Sequence, residues 1–424
     1  SVIRIWGRDV HALGKEYERM KLIVLGGAGE MASRAVRELA RESDVTAVTV
    51  ADYNLEAASR LAEELGAKVS SLWVDANDHD ALVTAIRGHD AAASGIGPFY
   101  RYEARVARAA VEAGVPYVSI CDDYDAAEAV LALDAEAKAA GVTVLTGLGW
   151  TPGLSNVLAR KGAEQFDLVD EINVSWGSSA SDSDGYAVIL HTLHIFTGQV
   201  PSFQKGRLVP VPAGTGREVV LFPPPVGRVN CYHVGHPEPV TLPRFLSRPG
   251  VRTVTLKGGL VEQPLNDLAI WLARLRLTDT PAKKDMLGQI IKATLPFLSK
   301  LGEAEEPCSA VRVDVGGWED SNYRQVSYGA AAHMPDLTGL PLAIGALMLA
   351  RGQISVPGVV PPEACIEPES FLADLHRRGI TIQDMTGQWP QALAQPAGPS
   401  PLAVAVIAMA AWLLLRRVFR RDKR

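Results

Sequence analysis

The sequence predicts an α/β protein with a doubly wound parallel sheet, a second α+β domain and a C-terminal hydrophobic helix. Between residues 21 and 149, short apolar runs alternate with helical segments, as the strands and crossover helices of a parallel sheet do. After about residue 161, strand-like alternation takes over, with turns rich in Pro and Gly between the strands. Residues 401–415 contain no polar side chain. The 424 residues suffice for two domains of ordinary size.

The first predicted strand, residues 22–25, runs directly into a glycine-rich turn. Gly27, Gly29 and Ala32 fit the pattern G-x-G-x-x-(G/A), and a helical stretch follows over residues 33–40. In this pattern the first glycine permits a tight turn, the second lets the backbone approach a pyrophosphate, and the small third residue lets the helix pack on the strand. The N–H groups at the helix start face the phosphates. The turn therefore predicts a Rossmann-type, NAD(P)-binding domain over residues 21–160.

The second predicted strand, residues 46–51, ends in Asp52. This carboxylate lies 23 positions after Gly29, close to the roughly 20 expected for the residue that binds the adenosine ribose. A carboxylate accepts hydrogen bonds from the 2′-hydroxyl of NAD and repels the 2′-phosphate of NADP. The next residues, Tyr53 and Asn54, offer no arginine to a phosphate. The sequence therefore favours NAD, with NADP as the alternative.

Four further strands complete a six-stranded sheet, at residues 69–74, 91–94, 117–120 and 142–146. Asn54 and Asp78 stand at helix N-caps, and glycines stand at the left-handed C′ positions, namely Gly66, Gly88, Gly114 and Gly141. In such a sheet the ligand crevice lies at the C-terminal ends of the strands. The predicted cofactor contacts there are Gly27, Ala28, Gly29, Glu30, Met31, Asp52, Asp75, Gly95 and Ile96.

The rest of the chain divides by composition. Residues 161–335 predict an α+β domain for substrate binding and dimerisation, with strands at 171–176, 251–256 and 311–315. Within residues 336–390 we expect two helices, 340–351 and 362–378, that return to the nucleotide domain. Residues 391–401 are rich in Ala, Pro and Gly and predict a linker. Residues 1–20 predict an N-terminal extension of no assigned function, charged throughout and unlike a secretory signal.

Composition narrows the classes of partner. The formal net charge of −6 argues against a nucleic-acid partner. Four cysteines are scattered without a C-x-x-C pair, which predicts reduced thiols in a cytosolic setting and neither a disulfide framework nor a zinc site.

The C-terminal segment, residues 402–424, predicts a membrane-associating helix. Its last nine residues hold six basic groups and one acid. Fifteen apolar residues span roughly 22 Å as a helix, less than the roughly 30 Å hydrocarbon core. We therefore expect the helix to dip into the inner leaflet, with its basic end at anionic headgroups, on the cytoplasmic face of the membrane. The alternatives are an inverted tail anchor and a docking helix for a partner protein.

With those residues placed, the chain resembles the saccharopine dehydrogenase-like family, which includes saccharopine reductases and carboxynorspermidine dehydrogenases. The motifs that carry the resemblance are Gly-Gly-Ala-Gly-Glu-Met at 26–31, Gly-Pro-Phe-Tyr at 97–100, Cys-Asp-Asp-Tyr-Asp at 121–125, Gly-Trp-Thr-Pro-Gly-Leu-Ser-Asn at 149–156 and Gly-Val-Val-Pro-Pro-Glu at 358–363. The resemblance runs from about residue 21 to 380 and implies reversible hydride transfer at a carbon–nitrogen bond, joining an amine to a carbonyl compound.

Two of these motifs follow strand ends and supply candidate substrate contacts. Thr151 is a plausible N-cap with Pro152 at N1, so a helix start would face a substrate carboxylate; Gly153 and Asn156 belong to the same site. A simple capped crossover helix is the alternative. After the fifth strand, Asp122 or Tyr124 is expected to bind or relay a proton at the amine, while one of the two adjacent acids caps the next helix.

Histidines supply further candidates. His191 and His194 share one helix face, and His233 lies close to His236. Neither pair has a supporting carboxylate in register, and hydride transfer to an imine needs no metal, so we expect none. His191 or His236 is the candidate proton donor; the alternative is a structural histidine with its hydrogen bonds satisfied.

The sequence thus predicts an NAD(P)-dependent oxidoreductase acting on the carbon–nitrogen bond of an amino-acid-like small molecule, as a homodimer. Residues 97–100 also resemble the trans-acting enoyl reductases, so a membrane-associated lipid reductase is a second hypothesis. A non-catalytic, nucleotide-sensing membrane scaffold is the third.

Overall fold

The computed structural model describes residues 19–183, 185–298, 306–388 and 391–392. The predicted hydrophobic helix over residues 402–424, most of the N-terminal extension and most of the linker lie outside these ranges. Within them, no helix has both the length and the apolar character that crossing a membrane requires.

The first domain alternates strands and helices as predicted. Its elements are β1 (Met20–Leu25), α1 (Glu30–Arg41), β2 (Val45–Asp52), α2 (Leu55–Leu65), β3 (Val69–Trp73), α3 (His79–Ile86), β4 (Ala91–Ser94), α4 (Phe99–Ala113), β5 (Tyr117–Ser119), α5 (Tyr124–Leu131), α6 (Asp134–Ala140), β6 (Thr143–Leu145) and α7 (Leu154–Ala163). Asn54 and Asp78 cap their helices by accepting hydrogen bonds from the N–H groups of Ala57 and Ala81. The four predicted C′ glycines all have positive φ.

The second domain also contains the three strands that the sequence predicts, and each is longer than the predicted segment. Its elements are β7 (Leu168–Ser178), α8 (Tyr186–Ile195), β8 (Gln199–Gln204), β9 (Arg207–Pro212), β10 (Glu218–Leu221), β11 (Arg228–His233), α9 (Glu238–Phe245), β12 (Thr253–Leu260), α10 (Gln263–Arg274), α11 (Pro281–Leu298), β13 (Ser309–Glu319) and β14 (Asn322–Ala332). The remaining described elements are α12 (Met334–Ala350), β15 (Gly358–Val360), α13 (Pro362–Cys365), α14 (Pro368–Arg377), β16 (Gln383–Asp384) and β17 (Gln391–Ala392).

The first sheet is parallel throughout, in the order β15-β6-β5-β4-β1-β2-β3. Helices cover both faces, so the interior strand β1 is an unbroken apolar run: Ile23, Val24 and Leu25 are fully buried. The sequence did not predict β15, which returns from the C-terminal part of the chain to pair with β6.

The second sheet is mixed, in the order β16-β14-β13-β7-β12-β11-β10-β17, with the β8–β9 hairpin attached to β12. Its central strand, β7, pairs in parallel with β12 and antiparallel with β13. Helices α8 and α10, which follow β7 and β12 in the chain, face the strand ends of the first sheet across a cavity.

Helix α12 lies against α1. Arg34 and Asp336 form an ion pair of 2.5 Å between the two helices. A Cβ on Gly339 would lie 2.6 Å from the carbonyl oxygen of Met31, so the close approach of the helices requires a glycine there. The segment after the second sheet thus contacts the nucleotide-binding domain.

Two predicted helices differ from the structure. The helix expected over residues 362–378 is split into α13 and α14, because Pro368 begins a new helix whose N-cap Glu367 accepts hydrogen bonds from the N–H groups of Glu369 and Ser370. Helix α7 begins at Leu154, so Thr151 as N-cap and Pro152 as N1 were wrong. The chain first turns through Gly153, whose φ is +125° and whose Cβ would lie 2.2 Å from the carbonyl oxygen of Gly149.

Candidate active site

The glycine turn between β1 and α1 has the geometry of a dinucleotide site. A Cβ on Gly27 would lie 2.8 Å from the carbonyl oxygen of Val24, so the turn is too tight for a side chain there. A Cβ on Gly95 would lie 2.8 Å from the Cβ of Ala32, so helix α1 and the end of strand β4 meet at two small residues. Gly29, the N-cap of α1, carries no side chain that would obstruct a pyrophosphate at the helix start. These residues therefore fit the phosphates of NAD(P).

Asp52 lies at the end of β2, beside the turn, where the ribose contact was predicted. Its two carboxylate oxygens accept hydrogen bonds from the N–H groups of Ala28, at 3.0 Å, and Asn54, at 2.8 Å. Next to it, the exposed rings of Tyr53 and Trp73 lie 6.1 Å apart between centroids. Sequence reasoning did not single out Trp73, because its position depends on the pairing of β2 with β3.

Two other predicted cofactor contacts have different surroundings. Asp75 accepts hydrogen bonds from the backbone and side chain of Asn77 within its own loop. Ile96 packs against Gly26, where a Cβ would lie 3.0 Å from its Cγ1 atom. Glu30 and Met31 face a cavity between the two domains.

That cavity has a volume of about 380 Å³ and is lined by residues of both domains. From the first domain come Gly29, Gly95 and Asp122. From the second come residues of α8, α10 and the end of β7. The loop after β4 comes very close to α8, since a Cβ on Gly97 would lie 2.9 Å from that of Ala187. The strand ends of the first sheet thus face the second domain across this cavity, which is where the fold places its ligand.

At one end of the cavity, two acids and two histidines meet. Asp122 and Asp123 follow β5, His191 lies on α8, and His236 follows β11. The Nδ1 atom of His191 lies 2.8 Å from Asp123 and 3.2 Å from Asp122. The rings of His191 and His236 lie edge to face, with centroids 5.2 Å apart. Asp122, His191 and His236 line the cavity, whereas Asp123 is fully buried behind it.

The charges of this cluster follow from burial and proximity. Burial lowers the pKa of His191, but the two carboxylates outweigh it and raise this pKa to about 9. Burial raises the pKa of Asp122, although His191 opposes it. Burial alone would raise the pKa of Asp123, but the ion pair with His191 outweighs burial and lowers the pKa of this carboxyl group. His236 is neutral, because burial and the charge of His191 lower its pKa well below the ordinary value. His191 is therefore an imidazolium at neutral pH.

One ligand atom each from Asp122, Asp123 and His191 lies within 4.8 Å of the others, close enough for a metal ion. The protonation state favours a different interpretation. An imidazolium whose Nδ1 donates to Asp123 has no lone pair to offer a metal there. We interpret the cluster as one that holds a proton.

Of the predicted catalytic and substrate-binding residues, Thr151 lines the cavity, but Tyr124, Gly153 and Asn156 do not. The hydroxyl of Tyr124 donates to the carbonyl oxygen of Gln199 at 3.4 Å. One of Asp122 and Asp123 was expected to cap α5. Asp123 is the N-cap residue, but its carboxylate accepts a hydrogen bond from the N–H of Tyr100 at the start of α4 instead of capping α5. Gly153 lies in the tight turn before α7, where it packs against Gly149. The contacts of Tyr124 and Gly153 thus lie within the fold and not in the cavity.

Asn156 is likewise fully buried away from the cavity. Its side-chain oxygen accepts a hydrogen bond from the N–H of Gly153, and its nitrogen donates to Glu363 at 2.8 Å. The neighbouring Ser155 donates to Glu238 at 2.8 Å. Sequence reasoning missed both glutamates as members of this network, although Glu363 ends one of the motifs noted above. These bonds occupy the amide of Asn156 and do not fit the predicted substrate contact.

Comparison with known proteins agrees with this geometry. Residues 22–145 match the saccharopine dehydrogenase NADP binding domain, and residues 235–380 match the saccharopine dehydrogenase C-terminal domain. A carboxynorspermidine synthase of Vibrio cholerae is 23% identical over 403 residues, covering 84% of this chain and 94% of that relative. A carboxyaminopropylagmatine dehydrogenase of Synechocystis is 21% identical over 406 residues, covering 88% and 99%.

A solved structure shows the same fold. The apo saccharopine dehydrogenase (L-Glu forming) of Saccharomyces cerevisiae superposes with a TM-score of 0.61 at 17% identity, over 87% of this chain and 100% of the yeast chain. The parallel sheet, the second sheet and their order along the chain are thus shared with a known dehydrogenase.

Proposed function

The chain belongs to the saccharopine dehydrogenase family of NAD(P)-dependent oxidoreductases, and on that premise we propose that His191 exchanges the proton of a reversible reaction at the carbon–nitrogen bond of an amino-acid-like substrate. When bound, the nicotinamide supplies or accepts the hydride at carbon. The observation that carries the proposal is the position of His191 and Asp122, which line the cavity together with Gly95.

The direction of each transfer follows from the charges. In reduction, the imine carbon gains a hydride and the imine nitrogen gains a proton, which gives a secondary amine. His191 is cationic and holds that proton, and its Nδ1 is bonded to Asp123, so Nε2 is the atom left to exchange it. Asp122 lines the same cavity and can accept a hydrogen bond from the N–H of the amine that forms. In oxidation the amine returns its proton to His191.

We propose NAD as the preferred cofactor. The support is Asp52, whose carboxylate lies beside the glycine turn and repels a 2′-phosphate. The family whose domain matches residues 22–145 is described as NADP binding, so the proposed preference for NAD rests on this chain's own residues. Parallel titrations of the protein with NADH and NADPH measure it directly.

Substitution of His191 tests the proposed role. His191→Asn is expected to lower kcat with saccharopine or carboxynorspermidine by about 10²- to 10⁴-fold, the usual contribution of a general acid or base, while NADH still binds. His194→Asn is the matched control, because His194 lies on the same helix but bonds Asp125 and Lys284 outside the cavity. Full activity of His191→Asn would contradict the assignment. Cofactor binding without turnover of any secondary amine would favour the scaffold hypothesis instead.

We also propose that residues 402–424 hold the enzyme at the cytoplasmic face of a membrane. The support is compositional, an uncharged apolar stretch followed by six basic groups. Full-length protein should cosediment with anionic vesicles more strongly than with neutral ones, and a chain ending at residue 400 should not. The predicted homodimer is a separate question, which sedimentation velocity on the same two proteins answers.

A further inference from the structure

Building on the proposed carbon–nitrogen chemistry, we propose that the cavity binds an amphiphilic secondary amine. One substituent of its nitrogen is small and polar and lies at the His191 end. The other is an unbranched apolar chain of several carbons, which lies along α10. The family relationship alone does not specify such a chain. It is inferred from the walls of this cavity.

One face of α10 forms an apolar wall. Leu265, Leu268, Ala269 and Leu272 line the cavity, and their spacing of three and four residues places them on the same side of the helix. Each has less than a tenth of its surface exposed. Leu193 of α8 and Ile291 of α11 lie in the same lining. A hydrocarbon chain is the ligand that such a wall stabilises, because it removes apolar surface from water on both partners.

The charged groups argue against a second ionic substituent. Among the described residues that line the cavity there is no lysine or arginine. Lys284 and Arg101 both lie outside the lining. Lys284 bonds His194 at 2.6 Å, and Arg101 bonds Asp285 at 2.8 Å. Saccharopine, which carries three carboxylates, would therefore place at least one of them against leucines without a cation, at the cost of its hydration.

The opposite end of the cavity is suited to a small polar group. The indole nitrogens of Trp150 and Trp176 and both ring nitrogens of His236 are buried without a hydrogen-bond partner. Their rings form a continuous series, with centroids 6.0 Å apart between the tryptophans and 6.1 Å from Trp176 to His236. All three residues line the cavity. Buried donors without partners are costly, so a carboxylate gains affinity there if it accepts from the two indole N–H groups and the single N–H of neutral His236.

An N-alkylglycine has both properties and serves as the probe. Its oxidation removes a hydride from the carbon beside nitrogen and a proton from nitrogen, which gives an imine and NAD(P)H; water then splits the imine into an amine and a carbonyl compound. The series runs from sarcosine through N-butyl-, N-hexyl- and N-octyl- to N-decylglycine, each below its micelle concentration. Saccharopine is the polar comparison, and trans-2-decenoate is the alkyl probe without nitrogen.

Binding to the full-length, NADH-loaded protein is measured by calorimetry, and turnover by NAD(P)H absorbance. We expect the affinity to rise about fourfold for each added methylene, equivalent to about 0.8 kcal/mol per group, until the chain fills the cavity. Ala269→Leu fills part of the apolar wall and should remove the gain for the longer probes. Ala273→Leu, one turn further along α10 and outside the lining, is the matched control and should keep it.

The outcomes separate this inference from the proposed function. Graded binding together with oxidation of the longer amines supports both. Graded binding without oxidation of any amine supports the apolar site and overturns the carbon–nitrogen chemistry, as does reduction of trans-2-decenoate alone. Affinity that does not depend on chain length, or oxidation of saccharopine in preference to N-decylglycine, overturns the inference and leaves the proposed function in place.

Discussion

The Nδ1 atom of His191 lies 2.8 Å from Oδ1 of Asp123, although the two residues belong to different domains and are 68 positions apart in the chain. The other carboxylate oxygen of Asp123 accepts a hydrogen bond from the N–H of Tyr100 at 2.9 Å. One fully buried acid therefore holds both the start of α4 and the imidazole that faces the cavity. This bond fixes the orientation of His191 and, together with the charge of Asp122, keeps it protonated.

The pH dependence of turnover should follow the protonation of His191. The pKa of this residue is raised to about 9. Reduction requires the protonated imidazole, so its rate should fall as the pH rises through about 9. Oxidation requires the neutral form, so its rate should rise over the same range and then level off. Initial rates in both directions between pH 6 and 10.5 check this. Opposite limbs that persist in His191→Asn would assign the titration to another group.

Asp123 acts as a positioning residue, and Asp123→Asn should reveal it. Without that carboxylate, burial lowers the pKa of His191 with less opposition. We expect the high-pH limb of the reductive profile to move down by about one pH unit or more, since one unit corresponds to about 1.4 kcal/mol of interaction.

The matched control is Asp125→Asn, because Asp125 bonds His194 rather than His191. Its charge also raises the pKa of His191, but less than Asp123 does, so the limb should move less than in Asp123→Asn. A loss of kcat in Asp123→Asn without any shift of the limb would instead indicate that this acid acts only on the fold, through Tyr100.

Features set by local sequence were predictable. The glycine turn, the N-caps at Asn54 and Asp78, and strands β1 to β6 of the first sheet depend on residues within a few positions of one another. The start of α7 was not predictable in this way. Thr151-Pro152 has the composition of a helix start, but Gly153 packs against Gly149, and that tertiary contact moves the helix start to Leu154.

The site was predicted in part for the same reason. Asp122, His191 and His236 were recognised as candidates by residue type and by position after a strand or on a helix. The pairing of His191 with Asp123, and the apolar wall of α10, depend on how α8 and α10 lie over the first sheet. Asn156 was assigned to the substrate because its partner Glu363 lies 207 positions away. No local sequence pattern predicts a contact between residues so far apart in the chain.

Replacement of Asp52 tests the cofactor site independently of the chemistry. Asp52→Ala should weaken NAD binding and reduce the discrimination against NADP, because it removes both the acceptor for the ribose hydroxyls and the charge that repels a phosphate. Fluorescence titration with NADH and NADPH measures both effects. Asp75→Ala is the control, since Asp75 bonds only its own loop in the described structure. Unchanged affinities for both cofactors in Asp52→Ala would place the ribose elsewhere.

The buried glutamates Glu238 and Glu363 should make the fold less stable as the pH rises. Burial raises the pKa of Glu238 to about 8 and that of Glu363 to about 7. An unfolded glutamate loses its proton near pH 4.3, so between that value and about pH 8 the folded state binds more protons than the unfolded state. The free energy of unfolding must therefore fall with pH across this window.

Glu238→Gln and Glu363→Gln keep a side-chain oxygen that can accept the bonds from Ser155 and Asn156 but carry no charge. At pH 9 each should be more stable than the unsubstituted protein, by more than about 1 kcal/mol. At pH 5 the difference should be small, because the native glutamates are then protonated in the folded state. Urea denaturation at the two pH values measures it. Glu369→Gln, an exposed acid of α14, should show no such difference between the two pH values. Equal destabilisation of the two buried variants at both pH values would mean that these carboxyl groups are ionised in the fold.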